Sequence, residues 1–465
     1  MDDIADLSAV ALAAAIRRRA VSPREAVDAA LARIEACARY NAFITVCGDR
    51  ARAEADSMTG RWRTGENLPP LFGVPFSVKD LIPTAGVRTT SGSRLFADAV
   101  PAADAVAVAR MKAAGAVLVG KTTTPEFGHK PFTEAPLFGR TLNPWNAQFT
   151  CGGSSGGAAV AVLTGMGPLA LGTDGGGSIR IPAACCGVVG LKATLGAIPN
   201  LQVADPFAAN SYVGPLARTI AEVALAWRVL RGTDPADPWG QLPLPDRRAF
   251  PLRGLRIAWL PRCGSPAIDS EVAAATTTAA RKLADLGAAI EEVEIDLSRL
   301  ERSFLVILES GLAGRFGDRL TDHASLMDPT LVRTIEKGLR HSAVELQRAA
   351  AERGTIFGGL QALFVRHDLL VSPVLTAPPL PVGQDPHGHV TIAGTDAGTI
   401  RGAWYPFTFP LNLTGHPALA MPCGMTKSGL PIGLQIAGPW HSEPTILATA
   451  EALEAALPGP PPPSR

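Results

Sequence analysis

The chain carries no surplus of either charge: 43 lysines and arginines face 42 aspartates and glutamates across 465 residues. Without a net field to concentrate phosphates or anionic headgroups, neither nucleic acid nor a membrane surface is an expected partner. No stretch approaches the roughly 20 unbroken apolar residues of a spanning helix. A disulfide framework is missing too, because the seven cysteines are odd in number, scattered from Cys37 to Cys423, and form no CxxC pair. The opening MDDIADLSAV is acidic where a signal peptide would be basic. These absences lead us to expect a cytoplasmic protein, and no internal repeat is visible.

What the sequence has is apolar bulk. At 47% hydrophobic and 18% charged residues it can bury a core of enzyme size. SPREAVDAALARIEAC (22–37) reads as an amphipathic helix, with Ser22 as cap, Pro23 in the first turn and Glu25 as the reciprocal partner. Short apolar segments then alternate with helical ones: AFITV, PFSV, a helix over 105–114, AVLVG and LALG, and later LRIAWL, a helix over 271–286, and AIEEVEI. LLVSPV, ALAMPC and IGLQIAG read as further buried strands. This alternation predicts an α/β protein built on one large sheet with helices on both faces. The Pro- and Asp-rich stretch 232–254 reads as a boundary before a more variable second half, 372–390 as a long loop, and the tail PGPPPPSR as disordered.

Three motif readings compete. GAVLVGKT (115–122) formally satisfies the phosphate-binding P-loop, but its four intervening residues look like the strand itself, and Pro125 follows where a helix should begin. Gly152 to Gly156 contain G-x-S-x-G, the turn that presents a serine to a histidine in α/β-hydrolase esterases. Yet NPWNAQFT before it is a poor strand, and His416 and His441 have no distinguishing neighbours. The third reading joins GVPFSVKD with Lys79, CGGSSGGAAVAV with Ser154 and Ser155, and LGTDGGGSIRIP with Ser178. A serine among glycines lets backbone amides approach a carbonyl closely and cup its developing charge. A lysine can take the serine proton if burial keeps it neutral, and Lys79 follows an apolar run. Taken alone, Lys79 beside Asp80 reads as an exposed ion pair, and Ser154 and Ser178 as parts of a linker; only the three segments together overturn that.

These segments, in this order, resemble the amidase signature family, and NAFITV, LFGRTLNPWN, GLKAT and GLPIGLQIAGP extend the likeness. The likeness is dense over about 70–220 and 405–450 and loose over 230–400. It implies a single amidase domain over 1–458, a large mixed sheet covered by helices, and no metal or organic cofactor. It implies Ser178 as nucleophile, Ser154 after a cis bond from Gly153 as proton relay, and Lys79 as base. The amides of Gly175, Gly176, Gly177 and Ser178 would form the oxyanion cup. Asp174 and Arg180 would brace the loop, and Ser155 would hydrogen-bond near Lys79. Relatives often carry a larger residue where Gly175 stands. The stretch after TTTPEF would line the acyl pocket with Gly128, His129 and Phe132, and RGAWYPFTF could add Trp404 and Tyr405, although aromatics there fit ordinary core packing as well.

The implied activity is hydrolysis of small aryl or alkyl amides, anilides included, through an acyl-enzyme. Carbamate or ester hydrolysis on the same residues is the nearest alternative. Another is the amide-hydrolysing component of a glutamyl-tRNA amidotransferase, which works with a partner protein, although no basic surface run marks such a role. Nor is there an apolar anchor of the kind that fatty acid amide hydrolases use to associate with membranes. The expected partner is a small-molecule amide, and the expected assembly a monomer or homodimer.

Overall fold

The computed structural model describes residues 3–64, 67–203, 205–208, 210–241, 250–264, 267–297, 299–457 and 459. Its framework is one eleven-stranded sheet. In chain order the strands are β1 (Phe43–Val46), β2 (Pro75–Lys79), β3 (Val117–Thr122), β4 (Leu169–Asp174), β5 (Val189–Lys192), β6 (Tyr212–Ala217), β7 (Arg256–Trp259), β8 (Ala289–Glu292), β9 (Leu369–Pro373), β10 (Ala418–Met425) and β11 (Pro431–Ala437). Their spatial order is β1-β3-β2-β4-β6-β5-β10-β11-β9-β7-β8. The sheet is mixed: β2 runs parallel to both β3 and β4, whereas β4 pairs antiparallel with β6. Strands from beyond the 232–254 stretch continue the same sheet, because β10 pairs directly with β5. Of that stretch, 242–249 lies outside the described residues, as does nearly all of the tail.

Alternation along the strands explains the layering. Successive side chains of a strand face opposite ways, and here they enter two different cores. Leu118, Leu169, Leu171 and Val371 join one cluster with Val108, Val223 and Leu283 from covering helices. Val117, Val119, Ala170 and Leu370 join the other, with Val27, Val160 and Ile181. Both faces are therefore roofed by helices, as the near-continuous apolar strands require. The helix Pro23–Ala36 has its capping box between Ser22 and Glu25.

The P-loop reading fails on geometry, since Gly120 and Lys121 lie inside β3 and not in a phosphate-cradling turn. The expected loop 372–390 is broken at its end by a hairpin pairing His389–Ile392 with Thr395–Thr399. Gly394, at φ +79°, makes that tight turn, a signal overlooked in the sequence.

Candidate active site

The parallel run β3, β2, β4 places the C-terminal ends of three strands side by side, the usual position of a site in a sheet of this kind. Lys79 ends β2, and Thr173 lies one residue before the end of neighbouring β4. Lys79 is wholly buried. Its Nζ lies 2.6 Å from Ser154 Oγ and 2.9 Å from Thr173 Oγ1. Burial drives the pKa of Lys79 well below its usual value, and the charge of Asp174 offsets this only in part. The exposed Lys79–Asp80 pair is thus ruled out: Asp80 is also buried and accepts hydrogen bonds from the amide and hydroxyl of Thr90.

Ser154 follows a cis peptide bond from Gly153 and precedes the helix Gly156–Leu163. Gly128, at φ +70°, packs so closely over it that a Cβ there would come within 3.1 Å of Ser154 Oγ and 2.8 Å of Leu81. Ser155 links β4 to the glycine loop. Its hydroxyl donates to Thr173 O at 3.1 Å, and its amide donates to Ser178 O at 3.0 Å. The second bond seats the loop carrying Ser178 against the serine-rich turn. Both turn serines are buried and Ser178 is half-buried. Ser178 Oγ has no hydrogen-bond partner among the described residues. No described histidine bonds these hydroxyls, so the esterase reading has no support. His416 is buried between Phe357 and Phe364, with its pKa lowered by burial to about 3.

The glycine loop is rigidly braced. The Asp174 carboxylate receives the amides of Gly177 at 2.6 Å and Ile179 at 3.1 Å. Arg180 donates to it through Nε and Nη2, then reaches Gln435 and Asn412 at 2.7 Å each. Asn412 Nδ2 returns to Asp174 O at 2.8 Å. Thr408 holds the carbonyl of Gly176 at 2.8 Å. One expectation changes here: the Gly177 amide is committed to Asp174, so it is not free for an oxyanion. The amides of Gly175, Gly176 and Ser178 have no acceptor among the described residues. A Cβ on Gly175 would meet nothing within 4 Å, whereas one on Gly176 would come within 2.7 Å of Phe304.

Of the expected pocket residues, Gly128 packs against Ser154, and the backbone of Phe132 packs against Gly153. His129 is buried, its Nδ1 paired with Glu126 O and its Nε2 with Thr330 Oγ1, both at 2.7 Å. Burial lowers its pKa to about 4. It lines a cavity of about 90 Å³ together with Lys130, Glu301 and Arg401. Phe132 and Trp404 stack with centroids 6.0 Å apart, and Trp404 donates its indole N–H to Ala377 O. With Tyr405 they are core, so the expected aromatic wall is packing instead. A second cavity, of about 110 Å³, opens beside Thr173 between Leu81 and Phe127. The sequence reading missed Thr173, Thr408, Asn412 and Gln435. GLQIAG flagged the neighbourhood of Gln435 but gave it no role.

A large mixed sheet with helices on both faces, carrying a buried lysine against a serine, defines a hydrolytic enzyme of the amidase class. The Amidase family profile matches residues 25–447, and the chain belongs to that family. It is 36% identical to an acylamidase from Rhodococcus erythropolis over 460 residues, 97% of this chain and 96% of that one. It is also 36% identical to the A-subunit of the glutamyl-tRNA(Gln) amidotransferase of Synechococcus sp. strain WH7803, across 94% of each chain. The solved structure of a bacterial aryl acylamidase, belonging to the amidase signature enzymes, superposes with a TM-score of 0.89 at 29% identity, covering 97% of this chain and 96% of that one.

Proposed function

We propose that the chain hydrolyses small aryl or alkyl amides through an acyl-enzyme on Ser178, with Ser154 and Lys79 as the proton relay. The observation that carries this reading is a fully buried lysine whose Nζ sits 2.6 Å from a serine Oγ and whose hydrogen-bond partners include no carboxylate. A neutral amine there donates to Thr173 and keeps its lone pair for the Ser154 hydroxyl.

Ser178 Oγ attacks the scissile carbonyl carbon as its proton passes to Ser154 Oγ and the Ser154 proton passes to Lys79 Nζ. The resulting oxyanion lies against the amides of Gly175, Gly176 and Ser178, each such donor typically worth about 3 kcal/mol. The C–N bond then breaks, and the lysine ammonium returns its proton through Ser154 to the leaving nitrogen. Water attacks the acyl-enzyme by the same relay and releases the acid. Asp174, Arg180 and Ser155 act by holding the loop. No step calls for a metal or organic cofactor.

Carbamates and esters present the same carbonyl, so urethane cleavage is a side activity of this reading. The likeness to an amidotransferase component supports a second reading, in which activity needs a partner protein. The two separate cleanly: purified protein is given anilides, aliphatic amides and carbamates by itself. Turnover supports the self-contained amidase, acting as a monomer or homodimer; inactivity until a partner is added supports the partner-dependent reading. We also infer a single domain over 1–458 and a cytoplasmic setting. The latter rests on all seven cysteines being free and on no described helix being long and apolar enough to cross a membrane.

A further inference from the structure

Among the described residues, the cavity beside Thr173 is lined by one charge and no countercharge. Its wall includes Ser91, Phe127, Gln202, Ser211 and Arg315, and Arg315 is the one ionisable residue among the described lining. Arg315 belongs to the helix Leu300–Phe316. Among the described residues it makes no ion pair and no hydrogen bond; its Cζ lies 4.9 Å over the ring of Phe316. Phe316 in turn stacks on Phe127, with centroids 4.0 Å apart, so the guanidinium is mounted on a fixed aromatic pair at the cavity wall. Its side chain is exposed to solvent at the mouth of the cavity, and the protein packed around its base lowers its pKa from the ordinary guanidinium value. Arg110, by contrast, bonds Leu230 O and Thr233 O, and Arg333 grips Asp385 with two bonds, whereas Arg319 and Arg401 also rest on aromatic rings but do not line this cavity. The side chains of Ser91, Gln202 and Ser211 likewise have no protein partner among the described residues. Ser91, Gln202 and Ser211 are thus half-buried hydrogen-bonding groups without protein partners, which a ligand supplying acceptors would satisfy. The guanidinium, exposed at the cavity mouth, adds a positive charge free to meet an anion.

We propose that this cavity binds a carboxylate carried by the substrate, so that the preferred amides bear an anionic carboxylate on their acyl or amine part. Arg315 pairs with the carboxylate, the neutral donors complete its hydrogen bonds, and Phe127 and Leu81 cover the connecting carbons. The cavity reaches Thr173, whose hydroxyl holds Lys79, so a group seated there is tethered to the reacting centre. The inference rests on the amidase reading of that centre.

The test compares kcat/KM within two matched pairs. Glutaryl 4-nitroanilide against butyryl 4-nitroanilide places the charge on the acyl side; 4-acetamidobenzoate against acetanilide places it on the amine side. The charged member of one pair is favoured by about tenfold or more, a size typical of a charge pair recognised in a site. That ratio collapses in Arg315→Ala and is partly kept in Arg315→Lys. Calorimetric titration of glutarate into the Ser178→Ala chain, which cannot turn over, gives binding that Arg315→Ala removes. Equal use of charged and neutral members in both pairs, or a ratio unmoved by Arg315→Ala, overturns the proposal. Arg315-dependent glutarate binding with no hydrolysis of any anilide overturns the self-contained amidase reading while upholding the carboxylate site. Hydrolysis of neutral anilides with no glutarate binding does the reverse.

Discussion

Asp174 and Arg180, six residues apart, form a wholly buried ion pair: Arg180 Nε lies 3.0 Å from Oδ2 and Nη2 lies 3.1 Å from Oδ1. The carboxylate also accepts the amides of Gly177 and Ile179, which bracket Ser178, so the pair fixes the backbone on both sides of the proposed nucleophile. Removing one member strands the other charge in the interior, at a cost of about 3–5 kcal/mol. Arg180→Met and Asp174→Asn are each expected to lose stability on that scale in denaturant titrations. The double variant should lose less than the sum of the two.

The same pair fixes a pH signature. Burial alone would raise the Asp174 pKa, but the Arg180 charge and the hydrogen bonds of Arg180 and Asn412 outweigh it and hold the carboxyl below its usual range. A depressed folded pKa gives stability that is fully present above the unfolded value, about 3.9, and is lost as pH falls through the folded one. The stability gap between the natural chain and Asp174→Asn should therefore stay level from about pH 8 to about pH 5 and narrow only in stronger acid. Chemical unfolding across that range checks it.

Lys79 predicts the pH dependence of turnover. Its pKa is pushed well below the usual lysine value by burial, and only the neutral amine can take a proton. kcat/KM should fall as pH drops through that lowered pKa and level off above it. Lys79→Met should remove this limb and cost about 10²–10⁴ in rate, with the circular dichroism spectrum unchanged. An enzyme that stays fully active with Lys79→Met at neutral pH excludes the lysine as base.

The glycines of the loop are not equivalent. Gly177 has φ +121°, and a Cβ there would come within 2.5 Å of Thr408 Oγ1, the hydroxyl that holds Gly176 O. Gly177→Ala is expected to destabilise by about 1–3 kcal/mol and to reduce kcat. Gly175→Ala fills open space, so its melting temperature should stay close to that of the natural chain while KM shifts across an anilide series.

Much of this was legible in the sequence for physical reasons. Local signals carried the helix capped by Ser22 and the strand Val117–Thr122, whose apolar run argued against a P-loop. Lys79, Ser154 and Ser178 could be singled out because each sits in a distinctive short segment. The partners that hold them were not legible. Asn412, on the short helix Phe409–Leu413, and Gln435, on β11, meet Arg180 across more than 200 residues of chain, long-range contacts that no local pattern specifies. Nor could spacing separate a core aromatic from a pocket wall: Trp404 is fully buried against Phe132. Which loop amides are free depended on one carboxylate, that of Asp174, turning back on Gly177.

The central claim is that Ser178 is the attacking residue. Its most direct test is to treat the purified chain with a fluorophosphonate probe and map the adduct by peptide mass spectrometry, in the natural chain and in Ser178→Ala. The adduct is predicted on Ser178 and is absent from the variant. Labelling that persists undiminished in Ser178→Ala, or an adduct that maps to Ser154 in the natural chain, would contradict the assignment.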